Sequence, residues 1–448
     1  MATISALGVG SGLDLNGLLT QLRSAERQKL TPIVQQQQSY KAKISAFGKL
    51  ESALTKFQTS VNTLNDAKSF KGVTSQVTGS SITAASNTDA PVGRYEVNVT
   101  SLAKASSVAT NGVDDKTRKL GAGSVDIVVG SKTINVEVTE EKSSLEGIRD
   151  AINAKNAGIS ASIINDGTEG AAYRLVLAST ETGTQASISS VTFNGLLGLE
   201  EDTDTKLSAV DAELEVNGIK ITSQTNRISE AIQGVTLDLN EMGASTLTIS
   251  RDDAAIKESV KGFVESYNAL NKTIKDLTKY NAATDTAGGL IGNSTVRSIA
   301  SQLRSDLTSG VEEGTFGYLR DIGITLKVDG TLQLDEAKLD EVVANGTQDL
   351  SLFFGGTTKD GGLAGKLGKS LDLMLKSDGS LDSATSGLES SIKSLDQRYA
   401  NVEKSIESTI ERYRKQFAQL DGMLSSMNQM SGYLMQQFDM MNAQLGKG

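Results

Sequence analysis

LESSIKSLDQRYANVEKSIESTIERYRKQFAQLDGMLSSMNQMSGYLMQQFDMMNAQL, residues 388–445, contains almost nothing that would break a helix. Its apolar and aromatic positions are Leu388, Ile392, Leu395, Tyr399, Val402, Ile406, Ile410, Tyr413, Phe417, Leu420, Leu424, Met427, Leu434, Phe438, Met441 and Leu445. Steps of four and three alternate between them, the 3.5-residue period of a coiled-coil seam. Two features interrupt the run: consecutive four-residue steps at Ile406 and Ile410, which read as a stutter that unwinds the supercoil locally, and Ser431 on the seam. The helix would be roughly 87 Å long. That is too long for one side of a compact core, so it needs partners along most of its length.

The beginning of the chain offers one. Pro32 follows Thr31, and proline suits a first helical turn. From Ile33 onward, Tyr40, Ile44, Phe47, Leu50, Leu54, Phe57, Val61 and Leu64 repeat nearly the same alternation. The economical arrangement pairs the two ends antiparallel and leaves the middle as one large insertion; two independent helical hairpins are the alternative. Ahead of this helix lies GVGSGLD, Gly8 to Asp14. No strand precedes it, no lysine followed by Ser or Thr closes it, and it lacks the acidic residue that a dinucleotide site places about twenty positions on. A phosphate loop is therefore set aside in favour of Asp14 as the N-cap of a helix carrying Leu15, Leu18, Leu19 and Leu22.

Composition narrows the class. Single cores stop growing near about 250 to 300 residues, so 448 residues imply several domains. Aromatic residues make up only 4% and Trp is absent, which points to small cores joined by extended elements. The chain has no Cys and no His, which removes disulfides, thiolate nucleophiles, imidazole bases and the usual zinc ligands. No apolar run approaches the length of a membrane span, and no basic flank with an apolar stretch marks a cleaved secretory signal. A formal charge of −10 argues against nucleic acid and anionic membranes as partners. Residues 112–204 hold fifteen acids and eight bases, a net of −7, whereas 388–448 hold seven of each. The middle is expected to be a solvated head and the C-terminal region a packing surface.

After Lys71 the period changes to two. GVTSQVTGSSITAAS and GRYEVNVTSLAKAS alternate apolar and polar residues and read as strands, with Pro91 and Gly93 at the turn. SVDIVVGSKTINVEV and AELEVNGIKITSQT align as strand, turn and strand, Gly130 and Ser131 answering Asn217 and Gly218. Each is followed by a short element expected to be helical, SLEGIRDAINA or RISEAIQGV, and then by a strand, GISASII or GVTLDL. This is an internal duplication, its first copy extended by the strand YRLVLAST. Asp202 and Asp204 in EEDTDTKL invite a calcium reading, but the loop glycine and terminal glutamate of an EF-hand are absent, so a solvated linker is expected.

From Asp253 the helical period resumes. Ile256, Val260, Phe263, Val264, Tyr267, Leu270, Ile274 and Leu277 form a broad stripe. A further helix should begin near Asn293 or Ser294, after GGLIGNST, which again lacks a Walker lysine. GITLKVDGTLQLDE reads as a hairpin with a two-residue turn at Asp329 and Gly330. The helix DEAKLDEVVANG is expected to end at Gly346, and LSLFFGGTTKDGG to form an apolar knot with a loose loop.

ISALGVGSGLDLNGLLTQL, the duplicated VNGIKIT and SEAIQGVTLDL elements, DIGITLKVDGTLQLDEAKLDE and the FFGG segment, in this order and spacing, resemble the flagellar filament capping family, or flagellar hook-associated protein 2 family, over essentially the whole chain. The first copy of the duplication also resembles the inserted repeat of flagellins and hook-associated proteins. The expected fold class is α+β multidomain, with long terminal coiled-coil helices and a helical domain carrying two inserted β-rich head domains. The resemblance implies domains at 1–40 plus 410–448, inserting into the filament; 41–70 plus 253–409, helical with a β-hairpin; 71–111 plus 205–252, the first β-rich head domain; and 112–204, the second. It implies a secreted, non-enzymatic, cofactor-free cap at the flagellar tip, a homo-oligomeric ring of four to six subunits under which exported flagellin folds and joins. Flagellin, the hook–filament junction proteins and a cytosolic export chaperone at the C-terminal helix are the implied partners, with export through the flagellar type III pathway.

The seam positions are the candidate partner and oligomer contacts: Leu15, Leu18, Leu19, Leu22, Ile44, Phe47, Leu54, Phe57, Val61, Phe417, Leu420, Leu424, Met427, Leu434, Phe438 and Met441. Six of the nine methionines fall at 423, 427, 430, 435, 440 and 441. Methionine suits a surface that must re-pack repeatedly, and equally fills a static helical core; both readings stay open. No carboxylate pair or Ser and Lys arrangement supports an enzyme. The alternative function is a surface adhesin whose acidic head binds host glycans or mucins. A flagellin or junction protein is disfavoured by the opening motif.

Overall fold

The computed structural model describes residues 12–282 and 286–445, together with Gly8. Val9, Gly10 and Ser11 of the opening glycine-rich stretch, and the residues before Gly8, lie outside them. The chain separates into two compact units: one runs up to Asp66 and resumes at Glu258, and the other is Ala67–Lys257.

The helical unit opens with α1 (Leu15–Arg27) and α2 (Thr31–Asn65), joined by a short 3₁₀ turn, Gln28–Leu30. Asp14 caps α1 by accepting from the Gly17 N–H, and Pro32 sits in the first turn of α2 as its fixed φ predicts. After the insertion, which contains α3 (Leu145–Ala154), come α4 (Asp253–Thr278), α5 (Ser294–Thr308), α6 (Glu336–Gly355), α7 (Gly362–Leu375) and α8 (Ser380–Leu445). Asn293 caps α5 through the Val296 N–H.

The heptad stripe of α2 is buried along Phe47, Leu50, Leu54, Phe57, Val61 and Leu64. It faces more than one neighbour. α6 and α7 pack on it as well as α8, and the Phe57 ring lies 5.4 Å from Phe263 and 5.6 Å from Tyr267 of α4. Phe263 in turn meets Phe354 at 5.9 Å, and Phe353 meets Phe354 at 5.1 Å. A chain poor in aromatics thus concentrates several of them in one place, where each ring removes a large apolar area from water. This part of the α2 seam thus belongs to the globular core of the helical domain, with more than two helices around it. Periodicity reports that a stripe is buried, not how many helices bury it.

Two further expectations change in this unit. α6 passes through Gly346, where the backbone kinks (φ −136°, ψ 32°), and continues to Gly355. Leu350, Phe353 and Phe354 beyond the kink are all buried, so their burial keeps the chain helical past a residue that would otherwise end it. A Cβ at Gly346 would stand 3.3 Å from the Phe316 ring, which accounts for the glycine. The Asp329–Gly330 turn is a three-residue loop. Between strands Ile324–Leu326 and Leu332–Leu334, the Lys327 N–H donates to Thr331 O and the Gly330 N–H to Lys327 O, with Gly330 left-handed at φ 78°.

The second unit contains two cores. In the first, β1 (Val73–Thr78), β3 (Gly93–Ser101), β11 (Ala212–Val216), β12 (Ile219–Ser223) and β15 (Gly243–Arg251) form an antiparallel sheet in the order β1-β15-β3-β11-β12. A second sheet, β13-β14-β2, comprises β2 (Ile82–Ser86), β13 (Arg227–Ile232) and β14 (Val235–Leu239). Val97, Val99, Leu214 and Leu247 of one sheet share a core with Ile82, Ile228 and Leu237 of the other. The β11–β12 hairpin turns on Asn217 (φ 48°) and Gly218 (φ 80°), the left-handed pair required by a tight hairpin turn.

The other core belongs to the insertion. β4 (Ser107–Thr110), β7 (Ile159–Asn165), β8 (Tyr173–Ser179) and β10 (Glu201–Leu207) order as β10-β4-β8-β7. β5 (Gly123–Val129), β6 (Lys132–Val138) and β9 (Ile188–Asn194) order as β6-β5-β9. α3 buries Leu145, Ile148 and Ile152 against both sheets' apolar residues.

Three expectations are corrected in this unit. RISEAIQGV is not a helix but strand β13 and its turn. Ile228 and Ile232, four apart, fit either period, and pairing with β14 wins because both side chains then enter the shared core; Glu230, at φ 70°, and Ala231 fall outside the ladder. EEDTDTKL is strand β10 and not a linker, tied in by Arg174 Nη1 to Asp202 Oδ2 at 2.7 Å. Finally, β4 pairs with both ends of β10, Thr110 and Ala109 opposite Glu201 and Asp202 and Ser107 opposite Leu207, and Val108 of β4 lies in the inserted core. The insertion therefore takes in residues 107–207, wider than 112–204.

Candidate assembly surface

α8 runs 66 residues, about 99 Å at 1.5 Å per residue. Its first two thirds have partners within the chain. Leu19 and Leu30 share a buried cluster with Ile406 and Ile410, flanked by half-buried Leu22, Tyr399, Val402, Tyr413 and Phe417. Polar pairs set the direction: Gln37 Nε2 donates to Asp396 Oδ1 at 2.6 Å, Arg27 meets Glu403 at 3.3 Å, Arg23 meets Glu407 at 2.8 Å, and the Gly8 N–H donates to Asp421 Oδ2 at 3.1 Å. Each step back along α1 and α2 is a step forward along α8, so the two ends of the chain pair antiparallel, as the matching seams predicted. The stutter at Ile406 and Ile410 holds the anchor residues of this contact, at 3% exposure each.

Past Asp421 the same helix has no such cover among the described residues. Leu420, Met427, Leu434, Phe438 and Met441 are 43 to 60% exposed, and Met423, Met430, Tyr433, Met435 and Met440 57 to 72%. Leu424 is half-buried. From Gln416 to Gly446 the only charged residues are Asp421 and Asp439. A soluble helix ordinarily sets charge opposite its apolar stripe. An apolar surface of this length without that charge marks an interaction site.

The candidate contacts thus divide. Phe47, Leu54, Phe57 and Val61 are fully buried in the chain's own core, and Leu15 and Leu19 are buried as well. These six serve the fold and present nothing to a second chain. Ile44, Leu22 and Phe417 are half-buried. Leu18, 46% exposed, and five of the six seam candidates from Leu420 to Met441 are open, Leu424 being half-buried. Leu30 and Tyr433 were not among the sequence candidates. Leu30 precedes Pro32 at the helix junction, a signal that could have placed it, whereas Tyr433 lies off the seam.

Among the described residues no group of three or more acids could hold a metal ion, and no helix is long and apolar enough to cross a membrane.

Residues 11–106 match the N-terminal family model of flagellar hook-associated protein 2, and residues 209–429 its C-terminal model. The flagellar hook-associated protein 2 of Escherichia coli O157:H7 is 37% identical over 464 aligned residues, spanning 98% of this chain and 99% of that protein. The chain belongs to the flagellar hook-associated protein 2 family. Residues 124–181, inside the inserted core, match the flagellin hook IN motif, as the first copy of the duplication suggested. The protein of the same name from Salmonella typhimurium is 37% identical over 471 residues, with 99% of this chain and all of that one covered. The crystal structure of the D1-D2-D3 domains of the flagellar cap protein FliD from Escherichia coli superposes with a TM-score of 0.67 at 34% identity, over 77% of this chain and 99% of that one. Members of the hook-associated protein 2 family cap the flagellar filament at its tip, and this is the function of the chain. None of the relatives named here carries a name for glycan or mucin binding, so the adhesin reading receives no support.

Proposed function

We propose that the chain caps the filament as a closed ring of four to six identical subunits, with the exposed stripe of α8 from Leu420 to Met441 as its contact with the growing filament end and with neighbouring subunits. The observation that carries this reading is the pairing of α8 with the N-terminal segment as far as the Gly8–Asp421 hydrogen bond and the nearly chargeless apolar surface beyond it, uncovered among the described residues. Flagellin arriving unfolded needs a sheltered volume and one open growing position. A ring whose symmetry differs from the helical lattice below it fits imperfectly and leaves such a gap. Contacts that must be released and remade as each subunit joins favour side chains that re-pack at little cost, and flexible, polarizable methionine is suited to that. The helical unit up to residue 409 holds the stripe, and the two β cores form the head plate. The hook–filament junction proteins are earlier neighbours on the same filament. Export proceeds through the flagellar type III channel, with a cytosolic chaperone covering the C-terminal helix beforehand, since an exposed apolar stripe invites association before export.

Electron microscopy of the full-length protein, alone and added to cap-deficient flagella, tests this. Discrete rings that stop flagellin leaking into the medium are expected. A protein that stays monomeric and rescues no growth would refute it.

A further inference from the structure

The sequence contains no Cys, His or Trp, so methionine is the side chain most open to mild oxidation. The methionines are not equivalent. Met374 is buried in the helical core at 7% exposure, and Met242 stands alone in the β-rich unit at 68%, whereas Met423, Met427, Met430, Met435, Met440 and Met441 are 51 to 72% exposed together on one stretch of α8. Met423, Met427 and Met430 lie one helical turn apart on the same side, and Met427 and Met441 occupy the seam itself. They make up much of an apolar surface that has almost no charge to keep it soluble or to dilute a change in polarity.

We propose that this methionine stripe is an oxidative modification site, at which two-electron oxygen donors such as hydrogen peroxide convert the thioethers to sulfoxides and dismantle the assembly surface. The proposal rests on the assembly role assigned above to α8. In each event the methionine sulfur attacks the distal peroxide oxygen, the O–O bond breaks, and the departing hydroxide takes up the remaining proton. One thioether and one hydrogen peroxide give one sulfoxide and one water, the sulfur losing the two electrons that the peroxide gains. The product is polar and chiral where the reactant was apolar and pliable, which disrupts methionine-rich contacts and is reversed by methionine sulfoxide reductases. Exposure sets the order of reaction: the six stripe residues precede Met374.

The test treats the full-length protein with hydrogen peroxide and follows each methionine by peptide mass mapping. Self-association is measured by sedimentation and apolar surface by dye binding. The six stripe methionines, with the equally exposed Met242, are expected to gain oxygen before Met374, and association to weaken by about tenfold or more. Methionine sulfoxide reductase should restore it. A variant carrying M423L, M427L, M430L, M435L, M440L and M441L should associate and resist peroxide. Three results would overturn the proposal: Met374 reacting as fast as the stripe, the oxidised wild type keeping both its association and its dye binding, or the six-leucine variant being inactivated equally. Untreated protein that never associates would count against the assembly role instead; the order of oxidation and the loss of dye binding then still decide the modification.

Discussion

Arg23 Nη2 lies 2.8 Å from Glu407 Oε2, joining α1 to α8 across nearly the whole sequence, and one helical turn away Arg27 pairs with Glu403. Both partners of the first pair are about half exposed, at 43% and 55%, so solvent screens the attraction. A double-mutant cycle with Arg23→Ala and Glu407→Ala should give a coupling of about 0.5 kcal/mol that shrinks with added salt. The pair sets direction more than stability. A coupling above about 2 kcal/mol would reverse that ranking.

Ile410 is 3% exposed and Leu434 is 50% exposed on the same helix. Ile410→Ala should cost about 2–5 kcal/mol through lost burial and the cavity left behind. Leu434→Ala should leave the free subunit within about 0.5 kcal/mol of wild type. Chemical denaturation followed by helical circular dichroism measures both. In assembly the order should invert, with Leu434→Ala the more damaging of the two to ring formation.

Asp166 is held at about 2, below its ordinary 3.8, chiefly by the Thr168 backbone N–H and then by the Arg174 guanidinium at 2.6 Å. Because the folded protein favours the ionised carboxylate, the stabilising contribution is complete above the ordinary value and is lost as the pH falls towards about 2. Acid titration of the full chain should therefore weaken the inserted β core between about pH 4 and 2. An Asp166→Asn variant should show a shallower dependence there, which denaturation at a series of pH values would measure.

A helix with no tertiary partner is marginal in water whatever its propensity. In the monomer, backbone amides of α8 beyond Asp421 should exchange with solvent far faster than those around Ile406 and Ile410, and should gain protection on assembly. Hydrogen exchange with mass spectrometry reads this directly. Equal protection of the two regions in the monomer would show that the lower helix has cover of its own.

The local features were legible in the sequence because their causes are local. Asp14 and Asn293 cap helices, Asn217 and Gly218 make a tight turn, and matching 3.5-residue seams pair the two ends antiparallel. The order and spacing of motifs carried the family. What failed was wherever two periods coincide or a distant contact outweighs a local signal. Ile228 and Ile232 suit helix and strand alike until β14 supplies a partner, and Gly346 ends a helix unless Phe353 and Phe354 have a core to enter.

The seam from Leu388 to Leu445 shows the same division. Spacing and the lack of breakers suffice to make this one long helix with an apolar stripe. Which part of the stripe the chain covers itself depends on contacts distant in sequence. Phe57 and Val61 look like interface residues in a heptad and are buried within the subunit, while Met427 and Phe438, with the same spacing, stand exposed. Burial depends on where the chain's own elements run, and among the described residues pairing with the N-terminal segment reaches as far as Asp421.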